Sequence, residues 1–125
     1  MATQIDDALT QLSAALAART AAATPFVAAL RCPRARPLTA TLWRDDVALA
    51  SDQVFPKTAE AELALTDGRR VAARVAGRDP ATNIVALRLD AGSGVTLPAA
   101  AEPALGALAL VLAADREGAP IVHIA

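Results

Sequence analysis

One cysteine, one histidine and no tyrosine stand in this chain of 125 residues, and each scarcity excludes something. A lone Cys32 forms no internal disulfide, and a cysteine-based zinc site lacks its further ligands. A lone His123 leaves no histidine cluster for a metal, and nothing in the sequence has metal-ligand spacing. Aromatic residues are 2% of the chain, so the core is expected to be small-grained, filled by alanine, leucine and valine. Twelve basic residues against thirteen acidic ones leave a formal charge of -1, which gives no electrostatic case for nucleic acid or an anionic membrane as partner. The acidic opening MATQIDDALTQL holds no long apolar run, so it reads as neither a secretory signal nor a membrane span, and a soluble cytoplasmic protein is the expectation.

The length suits one domain with a single core. Residues 1–24 read as an amphipathic helix: Thr3 and Asp6 suggest an N-terminal cap, and Ile5, Leu9, Leu12 and Leu16 recur on one stripe facing whatever the helix packs on. Pro25 argues against its going much further. Residues 25–125 then read as short strands separated by turn residues. FVAALR precedes a proline-rich break, RCPRARP; LTATLWR and VALAS form a hairpin around Asp45 and Asp46; AELALT and RRVAARVAG form another around Asp67-Gly68. NIVALRL follows, then a flexible DAGSG, a proline-bounded LPAAAEP loop, a buried ALALVLA strand and a terminal IVHIA strand. Such a series favours a small barrel or sandwich behind one helix.

Other chemistry is outweighed by plainer readings. Ser93 lacks a nucleophile-elbow pattern and reads as a loop residue. His123 reads as a strand residue, and Cys32 as a buried or exposed thiol, although its arginine neighbours favour thiolate. Asp45 with Asp46, and Glu60 with Glu62, read as solvated edges. Arg31, Arg34 and Arg36 read as a solvated loop in preference to a phosphate site. No cofactor is expected.

One stretch carries more. From Leu65 through Asp67, Gly68, Arg69, Ala73, Val75, Gly77, Asp79, Pro80 and Thr82, with Leu97-Pro98 and Leu105-Gly106 further on, the order of residues resembles the N-terminal barrel of trypsin-like serine proteases of the HtrA/Deg type. The resemblance runs from about Leu38 to Leu112. It implies a mainly β protein: a single six-stranded trypsin-like barrel, half of the two-barrel protease fold, preceded by one N-terminal α-helix. It also implies where a triad would lie. Gln53, in ALASDQVF, stands where that family has its histidine, Asn83 stands at its aspartate, and the serine turn of a second barrel is not in this sequence. A glutamine amide is too weak a base to activate a serine, and an asparagine does not stabilise an imidazolium.

The expectation is therefore not an enzyme but a non-catalytic pseudo-protease, a structural or interaction module serving as subunit or scaffold. The alternative is a peptide-binding regulator that holds extended chains without cutting them. A single barrel has a flank shaped against a neighbour, and Ile5, Leu9, Leu12, Leu16, Ile121, Val122 and Ile124 are the expected partner-binding residues. The IVHIA segment is expected to present an unpaired edge, which a homodimer or another protein would cover.

Overall fold

The computed structural model describes residues 2–125, and its regular elements follow the alternation of the sequence. Helix α1 spans Ala2–Ala23 and passes through a short 3-10 turn, Thr24–Phe26, whose Pro25 has no N–H to continue the helical ladder. Eight strands follow: β1 (Val27–Arg31), β2 (Leu38–Arg44), β3 (Val47–Ser51), β4 (Glu60–Leu65), β5 (Arg70–Asp79), β6 (Ile84–Leu89), β7 (Leu110–Ala114) and β8 (Pro120–Ile124). The first six close into an antiparallel barrel in the order β1-β2-β3-β6-β5-β4, with β4 returning to β1. The expected mainly β architecture, one six-stranded barrel behind one helix, is the observed one.

Period-two alternation fills the barrel. Leu30, Leu42, Leu63, Val85 and Leu87 are fully buried and supply most of the volume, with Ala28, Ala40, Ala48 and Ala73 between them. Phe55, from the loop after β3, is buried in the same cluster. Two register shifts interrupt the ladder, at Leu42/Arg44 and at Val75/Gly77. Each adds one residue on one strand, Trp43 and Ala76, and bends it as barrel closure requires. Beyond the second shift β5 resumes pairing through Gly77, Arg78 and Asp79, two residues past the expected end of its strand.

Strands β7 and β8 lie outside the barrel as a two-stranded sheet. Ala29 of β1 and Ala64 of β4 face outward and are covered by Ala114 of β7, where three small side chains let the backbones approach. The Thr39 hydroxyl accepts the Ala114 N–H at 3.1 Å. At the hairpin tip Gly118 (φ 88°) lies so close to β4 that a Cβ there would meet the carbonyl oxygens of Ala64 and Leu65 at 2.8 and 2.9 Å.

Several expectations change. Strand β7 begins at Leu110, three residues later than expected, and is half-buried because only one side of it meets the barrel. The IVHIA segment, expected to present an unpaired edge, pairs as β8 along its length with β7, and its other edge has no strand partner among the described residues. Thr3 lies inside α1 and is not its cap. The DAGSG connection is tied down: the Asp45 carboxylate accepts the Gly94 N–H at 2.7 Å, and the Arg69 guanidinium donates to the carbonyls of Gly92 and Ser93 at 3.3 and 2.6 Å.

Candidate functional site

Where β3 runs into its following loop, the backbone turns around one side chain. Asn83 has a positive φ of 58°, a conformation that asparagine tolerates better than most residues, and this swings its carboxamide over residues 51–53. Its Oδ1 accepts the Gln53 N–H at 2.7 Å and the Ser51 hydroxyl at 3.2 Å, while its backbone carbonyl accepts the Asp52 N–H at 3.3 Å. Asn83 thus holds the loop that carries Gln53, and its acceptor oxygen is fully used in doing so. The Gln53 side chain is exposed.

The flanks of this loop are equally committed. Arg78 pairs with the Asp52 carboxylate and donates to the carbonyls of Phe55 and Pro56 at 3.0 and 3.3 Å, with its guanidinium 5.3 Å from the centre of the Phe55 ring. Asp79 accepts the Thr82 hydroxyl at 2.8 Å and the Ala81 N–H at 3.1 Å, and these bonds, the hydroxyl first, hold its carboxyl below the usual range. The groups that meet here are the Asn83 carboxamide, the Ser51 and Thr82 hydroxyls, the Arg78–Asp52 ion pair and the hydrogen-bonded Asp79 carboxylate. Together these contacts fix the course of the loop after β3.

The remaining polar candidates lie apart. Ser93 is buried, not a mobile loop residue, and its hydroxyl bonds the backbone of Val95. His123 sits on β8 opposite Val111. Burial pushes the Cys32 thiol up, against the downward pull expected from its arginine neighbours. Asp45 anchors Gly94, and Asp46 pairs with Arg88 at 2.6 Å, so neither is an idle solvated edge. Among the described residues no group of three or more acidic, histidine or cysteine side chains is placed to hold a metal ion.

A second region is apolar. Helix α1 has no buried residue over its whole length, so the expected stripe does not pack on the barrel. Ile5, Leu9 and Leu12 are 58%, 60% and 50% exposed. Leu16, further along, is half-buried and meets Leu110, Val122 and Ile124 across a groove of about 420 Å³ between α1 and the hairpin. A larger groove of about 860 Å³ lies between the last turns of α1 and the 97–112 segment, lined by Leu16, Phe26, Leu97, Leu108 and Leu112. The structure therefore gathers Leu16, Val122 and Ile124, leaves Ile5, Leu9 and Leu12 continuing the stripe along the helix, and places Ile121 one position out of phase with Val122 and Ile124. Sequence periodicity located the stripe; the neighbouring groove required the long connection after β6 to fold back beside α1.

A closed antiparallel barrel in this strand order, with a helix before it and a hairpin after it, is a trypsin-like β-barrel. Among solved structures the chain is similar to the MamO protease domain from Magnetospirillum magneticum in its apo form, with a TM-score of 0.63 over 82% of this chain at 17% identity. The chain spans 59% of the length of that one. No protein-family model matches the chain, and no curated protein matches it significantly in sequence. The shared property is the fold.

Proposed function

We propose that this barrel is a non-catalytic, protease-like interaction module whose work is done by the apolar face of α1 and the β7–β8 hairpin. The observation that carries this reading is the uncovered helix: twenty-two residues with none buried, bearing Ile5, Leu9 and Leu12 on one stripe beside an apolar groove. Full burial of one leucine or isoleucine is worth about 1.5–3 kcal/mol, so a helix left this bare gains substantially from a partner surface. A second copy of the chain is the partner we favour, because the exposed stripe runs into a groove that Val122 and Ile124 of β8 line, and a two-fold arrangement lets each copy set its stripe against the other's groove.

The absence of catalysis is part of the same proposal. In the resemblance to HtrA-type proteases, Gln53 and Asn83 occupy the histidine and aspartate positions, and their contact is a structural hydrogen bond. Full-length chain incubated with unfolded casein is expected to release no peptides, and light scattering is expected to give twice the 12.7 kDa monomer mass. Hydrolysis abolished by Asn83→Ala, or a monomer at all concentrations, sinks the proposal. The alternative, a regulator that binds extended peptides, draws on the outer edge of β8, which has no strand partner among the described residues. Saturable binding of unstructured peptides with side-chain preference would favour it.

A further inference from the structure

Four arginines from two distant parts of the chain line one surface pocket. Arg31, Arg34 and Arg36 come from the end of β1 and the loop after it, and Arg116 comes from the β7–β8 tip, eighty residues beyond the last of them. The pocket has a volume of about 480 Å³, within the usual range for small-molecule sites of about 300–1,000 Å³. No acidic side chain lines it. Arg69, Arg70, Arg78 and Arg88 all have carboxylate partners, whereas Arg34, Arg36 and Arg116 have none among the described residues. Arg31 reaches a carboxylate only loosely, at 3.8 Å from Glu62. In a chain of net charge -1, this is a local concentration of uncompensated positive charge.

The backbone around the pocket is fixed at a cost. Cys32, Pro33, Arg34 and Ala35 form a turn closed by the Ala35 N–H on the Cys32 carbonyl at 3.3 Å, and Arg34, its third residue, has a φ of 60°. Glycine or asparagine normally takes that place, and a larger residue there costs about 1–2 kcal/mol. An arginine kept in a strained position points to use of its side chain. On the other side, Gly118 seats the hairpin tip against β4, and Arg70 reaches Glu117 at 3.4 Å, so the segment carrying Arg116 is held in register with the loop.

We infer that this pocket is a binding site for a small soluble oxyanion of the phosphate class, carrying at least two negative charges. Guanidinium forks match tetrahedral oxyanions, and a phosphate offers enough acceptor oxygens for three of them at once. A single carboxylate has two oxygens and fits the arrangement less well. Nucleic acid is disfavoured because no aromatic side chain lines the pocket for base stacking.

The test is a titration of the full chain with inorganic phosphate, phenyl phosphate and citrate at constant ionic strength, read by arginine side-chain NMR signals. Saturable shifts of Arg34, Arg36 and Arg116 are expected. Arg36→Gln and Arg116→Gln should each weaken phosphate at least tenfold, with Arg74→Gln, an arginine outside the pocket, leaving it unchanged. Arg34→Gly separates binding from folding: it relieves the strained turn, so the variant should melt no lower than the parent while binding phosphate at least tenfold more weakly. Equal affinity for the two phosphates assigns recognition to the oxyanion itself, and tighter phenyl phosphate assigns the site to a phosphomonoester; both support the inference. Tighter citrate, shifts that do not saturate, or an equal loss in Arg74→Gln overturns it.

Discussion

The Oδ1 of Asn83 lies 2.7 Å from the backbone nitrogen of Gln53 and 3.2 Å from the Ser51 hydroxyl, so one side chain from the turn before β6 sets the course of the loop after β3. Replacing it with alanine removes the acceptor from both donors and leaves a residue that dislikes a positive φ. Asn83→Ala should therefore lose about 1–3 kcal/mol of stability. Urea unfolding checks this, and Asn83→Asp, which keeps the acceptor, should lose less near neutral pH.

Helix and barrel should respond in opposite ways to substitution. Leu87 is fully buried in the barrel, and Leu87→Ala should cost about 2–5 kcal/mol. Leu9 and Leu12 are exposed, so Leu9→Gln with Leu12→Gln should change the stability of the monomer by no more than about 0.5 kcal/mol each. Unfolding in urea at a concentration low enough to dissociate any dimer measures both.

Gly118→Ala should unseat the hairpin. The added methyl meets two β4 carbonyl oxygens within 3 Å on a backbone of φ 88°, and overpacking of this kind costs about 1–3 kcal/mol. Hydrogen exchange should quicken at the Ala114 N–H, which the Thr39 hydroxyl accepts, while the Leu63 amide inside the barrel remains protected.

Two exposed aspartates give the acid limb of stability. The Arg69 backbone N–H, then its side chain, lowers the Asp67 carboxyl, and the Thr82 hydroxyl lowers Asp79. Their contribution is present above the unfolded value near 3.8 and is lost as pH falls through the lower folded values. Thermal melts from pH 6 to pH 2 should show a decline below about pH 4 that is shallower in Asp67→Asn with Asp79→Asn.

How much of this was legible in the sequence differs by kind of interaction. The strands LTATLWR and VALAS were readable to the residue, because alternation and the Asp45-Asp46 turn are local signals. The stripe Ile5, Leu9, Leu12 and Leu16 was readable for the same reason, but that only Leu16 of it meets the β7–β8 hairpin while the other three stay exposed was not, since periodicity says which residues share a face and not what lies opposite. The DAGSG loop was misread as flexible because its ties to Asp45 and Arg69 span more than twenty residues. The arginine pocket was half visible: Arg31, Arg34 and Arg36 fall close together in sequence, whereas Arg116 joins them only because three alanines let β7 dock outside the barrel.

The most direct measurement is the mass in solution by light scattering over a dilution series, on the parent chain and on Leu9→Gln with Leu12→Gln. A parent dimer that the double substitution converts to a monomer, with its melting behaviour otherwise intact, is the predicted result. A parent that stays monomeric at every concentration, or a dimer indifferent to both substitutions, contradicts the assignment of the α1 face as the interface.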